Sequence, residues 1–191
     1  MSQEGSAVRR GALVYLMGAS GSGKDSVLRW LGAQWQESDR IVAAHRYLTR
    51  ESDANEAGVT LSDAEFERRM QLGFFAMHWR SHDVYYGVGI ELDAWRAAGL
   101  TVIVNGSRDY LPQACARYPD LYAIELTVDP EVLAARLRQR GRESGAAIAA
   151  RLARGAQQFA VPDGCRVVRL RNDGALEDAG EAIQGLIRGL P

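Results

Sequence analysis

The segment Gly18-Ala19-Ser20-Gly21-Ser22-Gly23-Lys24-Asp25-Ser26 constrains this chain more than any other stretch. It follows a short apolar run, Ala12 to Met17, suited to a buried strand, and leads into a helical stretch from Lys24 to about Trp35. Glycines let the backbone curl so that successive N–H groups face one centre, and the helix starting there adds its partial positive charge. Strand, glycine-rich loop, lysine and helix in that order form a phosphate-binding P-loop, whose lysine reaches the β- and γ-phosphates. An ordinary strand-to-helix turn requires neither the repeated glycines nor the lysine. Nucleotide binding is the first expectation, with Gly18, Ala19, Ser20, Gly21, Ser22, Gly23, Lys24, Asp25 and Ser26 as the ATP-binding set.

Composition adds weight to Lys24. Of 23 basic residues, 22 are Arg and one is Lys. Codon bias explains the arginines, but not why a compact ammonium stands here, where a planar guanidinium would not do the same job. The position after the lysine usually carries Ser or Thr, whose hydroxyl binds Mg²⁺. Here it is Asp25, with Ser26 one step on. Two readings are open: an acid favouring the helix dipole, or a carboxylate that holds Mg²⁺ directly or through water.

A length of 191 residues, 47% of them apolar, suits a single domain with its own core. Strand and helix signals alternate, which predicts an α/β layered sheet. Strands are expected at 41–45, 100–104, 121–128 and 167–170, with 74–88 aromatic-rich and extended in parts. Helices are expected at 91–98, 111–117 and 176–188. Ser62 with Glu65 fits a capping box opening a helix to about Gln71. Asp129-Pro130 fits an N-cap followed by Pro at the first helical position, starting a helix to about Arg140. Arg142 to Gly145 reads as a break before a second Arg-rich helix. Within one domain over 1–191, the P-loop unit spans 12–35, an acceptor-binding segment 45–90 and an arginine lid 136–154.

A formal charge of −1 gives no basic field for coating nucleic acid. No apolar run approaches the roughly 20 residues needed to span a bilayer. The polar start, Met1 to Arg10, lacks the apolar core of a secretory signal, so the expected location is cytoplasmic. Cys115 and Cys165 are far apart in no metal-like spacing and are expected to be free thiols.

Guanine-reading loops of GTPases need a second Lys, which this chain lacks, and large motor ATPases exceed its size. A small kinase remains, with a lid of arginines over the phosphoryl group in transfer. Arg136, Arg138, Arg140, Arg142, Arg151 and Arg154 flank the Gly-containing break with only Glu143 to balance them. A solvated helix face is the alternative. His45 and His78 are expected to pack or hydrogen-bond, because an acceptor phosphate oxygen needs no base.

Over nearly its whole length the chain resembles the guanylate kinase family. The matching pieces are Gly18 to Lys24, Leu48-Thr49-Arg50, Tyr85-Tyr86-Gly87, Arg136-x₃-Arg140-Gly141 with Arg151, and Asn172-Asp173. The resemblance implies a P-loop NTPase-type three-layer α/β fold with a central, mainly parallel sheet. It implies that Arg50 and Tyr86 bind the acceptor phosphate and that Lys24, Arg136, Arg140 and Arg151 act on the triphosphate. It also implies that Asn172 and Asp173 lie beside adenine, with ATP and Mg²⁺ as cofactors.

Three positions depart from that family. A base-reading Glu falls at Met77, a second phosphate-binding Arg at Asp53, and a strand-end Asp at Asn105. A site built to hydrogen-bond a base loses discrimination steeply without its partner. The departures resemble the ribose 1,5-bisphosphate phosphokinase branch, through Gly23-Lys24-Asp25-Ser26, His45 to Arg50, Tyr85 to Gly89 and Val104 to Arg108. That resemblance implies ATP-dependent phosphorylation of a phosphorylated sugar, ribose 1,5-bisphosphate, to 5-phosphoribosyl 1-diphosphate (PRPP) in phosphonate breakdown. Arg46, Arg50, Tyr86, Asn105 and Arg108 would bind the acceptor. A nucleoside monophosphate kinase and a non-catalytic scaffold are the alternatives.

Overall fold

The computed structural model describes residues 9–52, 56, 58–81, 83–140, 145–156 and 159–190. Five strands form an all-parallel sheet: β1 (Leu13–Gly18), β2 (Ile41–Ala44), β7 (Thr101–Asn105), β8 (Tyr122–Thr127) and β9 (Arg166–Arg171). The order is β2-β7-β1-β8-β9, with Leu13 opposite Val102 and Val14 opposite Tyr122. β1, flanked on both sides, is continuously apolar because both its faces are covered. Leu13, Tyr15 and Met17 face one layer, with Leu92 and Leu111; Val14 and Leu16 face the other, with Val27, Leu31 and Ile183.

The helices of those layers follow their local signals. On one face lie α3 (Glu91–Ala97) and α4 (Leu111–Arg117); on the other lie α1 (Lys24–Gln34) and α7 (Leu176–Arg188). These are the three layers the sequence implied. A 3₁₀ turn, Glu37–Asp39, joins α1 to β2.

The second sheet was not anticipated as a unit. After β2 only His45 intervenes before β3 (Arg46–Leu48), so the strand expected over 41–45 stops at Ala44 and the chain changes sheets. β3 joins β4 (Gly58–Thr60), β5 (Phe75–Ser81) and β6 (Val84–Gly89) in the order β4-β3-β6-β5. Helix α2 (Asp63–Gln71) covers this sheet, with Phe66 stacked on Phe75 and Tyr85. Ser62 caps it, its hydroxyl accepting from the Glu65 amide at 3.2 Å, but only this half of the expected capping box forms, since the Glu65 carboxylate accepts from Arg69 at 2.8 Å.

The lid segment is two helices, α5 (Pro130–Arg140) and α6 (Gly145–Ala156), packed through Leu133, Leu137 and Ile148. Asp129 caps α5 by accepting from the Glu131 amide at 2.9 Å. The break expected at 142–145 falls mostly on 141–144, outside the described residues, and Gly145 already belongs to α6. Cys115 and Cys165 were expected to be free thiols, and the structure joins them in a disulfide. Spacing along the chain did not show that α4 and the turn before β9 pack on the same face of the sheet, which brings the two Cα atoms to 6.2 Å.

α7 lies against α1 where Gly180 meets the indole of Trp30, and a Cβ at Gly180 would overlap the ring. Alanine favours a helix interior by about 1 kcal/mol, but overlap with a rigid ring costs more. Gly180→Ala is expected to lower unfolding free energy by about 1–3 kcal/mol. Urea denaturation checks this, and a neutral or stabilising result would refute the close approach.

Candidate active site

The P-loop connects β1 to α1 at the carboxyl edge of the parallel sheet, where open α/β sheets collect ligands. Gly23 forms the N-cap of α1 at φ 93°, a conformation that a side chain would strain. A Cβ there would also sit 2.6 Å from the Asn172 amide nitrogen. That amide donates to the Ser22 carbonyl at 2.7 Å, so the loop after β9 braces the P-loop. A Cβ at Gly21, also at positive φ, would meet Leu133 and Leu137 of α5 at 3.0 and 3.1 Å. The lid helix therefore packs directly on the curl. Ser22 Oγ is buried without a hydrogen-bond partner among the described residues.

Lys24 donates from Nζ to the carbonyls of Gly18 at 2.9 Å and Ala19 at 3.1 Å. Desolvation lowers its pKa to about 8, against the support of the Asp25 carboxylate. Beside it, one Asp25 oxygen, Oδ1, accepts from the Asn105 amide at 2.6 Å and from Arg46 at 3.2 Å. Asn105 is buried, and its own Oδ1 has no partner among the described residues.

Arg46 opens β3 directly after the sheet change, and Arg50 lies just beyond its end. Both guanidinium groups lie over the ring of Tyr86, at 5.5 and 5.9 Å from its centroid. Both also pair with the carboxylate of Glu56, Arg50 at 2.5 Å. Tyr86 is backed by Trp79, stacked 5.6 Å away at 9°, and Tyr110 lies 5.5 Å beyond. Sequence reasoning missed Glu56 and Trp79. The one available hint for Glu56 was an acid six residues after Arg50.

The other expected residues divide. Arg108 donates to the Gly155 carbonyl at 2.9 Å and lies 3.9 Å from the buried Glu125, so it ties the end of β7 to α6. The 105–108 turn is shaped by Tyr15, whose hydroxyl donates to the Ser107 carbonyl at 2.8 Å and accepts the Ser107 amide at 3.0 Å. Arg136 donates to the carbonyls of Asn172, Asp173 and Gly174 at 2.6, 3.3 and 3.3 Å, which places it on the loop after β9. Asp173 accepts the Asp129 amide at 2.7 Å, and that bond together with Arg171 holds its carboxyl below the usual range. The backbones of Arg140 and Arg151 lie in α5 and α6; their side chains are outside the described residues, as are Asp53 and Gly141. Met77, where a base reader was sought, is fully buried in the core.

Among the described residues no three His, Cys, Asp or Glu side chains gather as a metal cage. The donor set beside Lys24 nevertheless fits a cation of the Mg²⁺ kind. Such an ion takes one or two carboxylates and completes its shell with phosphates and water. Asp25 is 42% exposed and Asn105 offers a buried, unpartnered oxygen.

No family model matches the chain. Its fold is that of the guanylate kinase-like P-loop proteins. The crystal structure of guanylate kinase from Anaplasma phagocytophilum superposes with a TM-score of 0.69 over 94% of this chain and 86% of that one, at 17% identity. Sequence similarity is narrower in meaning. The chain is 52% identical over 177 residues to the ribose 1,5-bisphosphate phosphokinase PhnN of Achromobacter xylosoxidans, covering 93% of this chain and 92% of the relative. It is 48% identical over 182 residues to the same-named protein of Chromobacterium violaceum, covering 95% and 96%. The chain belongs to the ribose 1,5-bisphosphate phosphokinase family.

The depressed Lys24 pKa has a stability consequence. Between about 8 and the ordinary lysine value of 10.5 the folded chain binds fewer protons than the unfolded one. Stability therefore rises with pH through that window, and the cost is fully present below it. Lys24→Met should flatten this slope and stabilise the ligand-free protein at neutral pH by up to about 3 kcal/mol. Denaturation series at pH 7 and pH 10 check it; parallel slopes in both proteins would refute it.

Proposed function

We propose that the chain transfers the γ-phosphoryl group of ATP to the 1-phosphate of ribose 1,5-bisphosphate, giving PRPP and ADP. The observation that carries this reading is the pair Arg46 and Arg50, both over the Tyr86 ring, with Arg46 bonded to Asp25 beside the P-loop. The kinship with ribose 1,5-bisphosphate phosphokinases supports it. A cytoplasmic setting, where ATP is regenerated, belongs to the same proposal.

In this mechanism the P-loop amides and Lys24 hold the β- and γ-phosphates, Lys24 giving up loop carbonyls for phosphate oxygens. Asn172, Asp173 and Arg136 shape the base end of the ATP site. Arg46, Arg50 and Tyr86 seat the acceptor phosphate, with Arg108 and Asn105 at its edge. An oxygen of that phosphate forms the new bond to γ-phosphorus while the bond from γ-phosphorus to the β–γ bridging oxygen breaks, its electron pair leaving on ADP. The attacking oxygen is already anionic, so no base is required, and catalysis is positioning and charge stabilisation. Arg140 and Arg151 would come from the lid to the phosphoryl group. Asp25 and Asn105 would hold Mg²⁺, which when bound neutralises charge on the phosphate oxygens.

A nucleoside monophosphate acceptor fits less well, because the buried Met77 offers no oxygen to a base edge. Purified protein with ATP and ribose 1,5-bisphosphate should release ADP and form PRPP. With GMP it should release little above the no-acceptor background. Turnover with GMP alone would make the chain a nucleotide kinase, and turnover with neither would make it a scaffold.

The bond from Asn105 to Asp25 suggests that the carboxylate usual at the strand end has moved to the helix start. Asp25→Asn should then lower Mg²⁺-dependent turnover by about 10–100-fold, the range of groups that orient a metal's ligands, and raise the Mg²⁺ needed for half-maximal rate. Asn105→Ala should lose markedly less. Equal, mild losses in steady-state assays would dispose of this assignment.

A further inference from the structure

Glu56 is an acid where the chemistry of an acceptor site calls for cations. Its side chain is only 4% exposed and pairs with Arg46 through one oxygen and with Arg50 through the other. The terminal nitrogen of Arg46 that meets Glu56 also meets Asp25, so both its hydrogens are used. Nε–H and the other terminal nitrogen of Arg46 have no assigned partner among the described residues. Arg50 spends one terminal nitrogen on Glu56 and the other on the Glu51 carbonyl at 2.8 Å, and it also hydrogen-bonds the Tyr86 side chain.

We propose that Glu56 is a positioning residue for the acceptor phosphate: it clamps two mutually repelling guanidinium groups side by side over Tyr86 and leaves the unspent edge of Arg46 for the incoming anion. The inference rests on the reading of Arg46 and Arg50 as acceptor ligands. A guanidinium carries five N–H donors in a rigid fork, so using one edge on a fixed carboxylate orients the rest. Without such a clamp, two like charges on long side chains would separate, and the acceptor would have to order them at a cost in affinity.

An opposite role would have the same resting geometry: a carboxylate that occupies the phosphate's place and must be displaced. The two roles differ in sign. Glu56→Gln keeps the shape but places an NH₂ against one guanidinium, donor facing donor. If Glu56 is the clamp, the acceptor KM rises about 10–100-fold, the scale of a lost charged hydrogen bond. The KM for ATP and the kcat at saturating acceptor should stay within about threefold. Inorganic phosphate, as a competitive inhibitor against the acceptor, should weaken in parallel. Glu56→Asp, which keeps the charge one methylene short, should recover part of the loss and gives the same readouts if the Gln variant folds poorly. An unchanged or lower acceptor KM, or equal changes in both KM values, would overturn the clamp. A wild-type protein that does not turn over ribose 1,5-bisphosphate would instead sink the reading on which it rests.

Discussion

One carboxylate oxygen holds the two halves of this molecule in register. Asp25 Oδ1 receives Asn105 from the end of β7 and Arg46 from the start of β3, while Asp25 itself sits in the first turn of α1. One strand from each sheet and the helix after the P-loop thus meet at one atom. Charge-assisted hydrogen bonds are stronger than neutral ones, yet the exposed flank of Asp25 and the burial of Arg46 offset much of any net stabilisation. The geometry matters more than the energy. The P-loop helix and Arg46 cannot shift independently while both bonds persist.

This meeting point explains why two departures from the guanylate kinase pattern occur together. Were position 105 an aspartate beside Asp25, two carboxylates would lie within hydrogen-bond distance, and one would be forced to keep its proton. With Asn at 105 the same contact becomes a donor–acceptor pair. The single remaining negative charge stands next to Lys24 and Arg46, where it offsets two cations. The 2.6 Å bond makes the two residues compatible as a pair, which two facing carboxylates would not be.

The features written in local chemistry were legible in the sequence. The glycine-rich turn between β1 and α1, Ser62 at a helix start and Asp129-Pro130 at another act locally, and the helices begin where they were predicted to begin. The second sheet was not legible because β3 and β4 span three residues each, too few to show a period. Arg136 was expected to face the triphosphate from the lid. The structure gives it the carbonyls of 172–174, a choice made by the fold of a loop distant in sequence. Glu56 was invisible for the same reason: its partners stand ten and six residues away with no pattern joining them.

The wall behind the arginines limits what kind of acceptor this site can prefer. Tyr86 stacks on Trp79, which in turn meets Tyr110 at a tilt of 30°, so the ring under the guanidinium groups has little freedom to tilt. Arg50 is spent on Glu56 and Glu51, whereas Arg46 gives only one terminal nitrogen to Glu56 and Asp25. Nothing at Met77 reads a base, so affinity must come from phosphate charge, and charge alone distinguishes one phosphorylated sugar from another poorly. Selectivity then has to reside in distance. On the proposed reading of Arg46 and Arg50, the phosphate they seat reacts only if it also reaches the P-loop across the Asp25 contact. On that reading, rigidity along the line Asn105–Asp25–Arg46–Glu56 would convert general attraction for anions into choice among them.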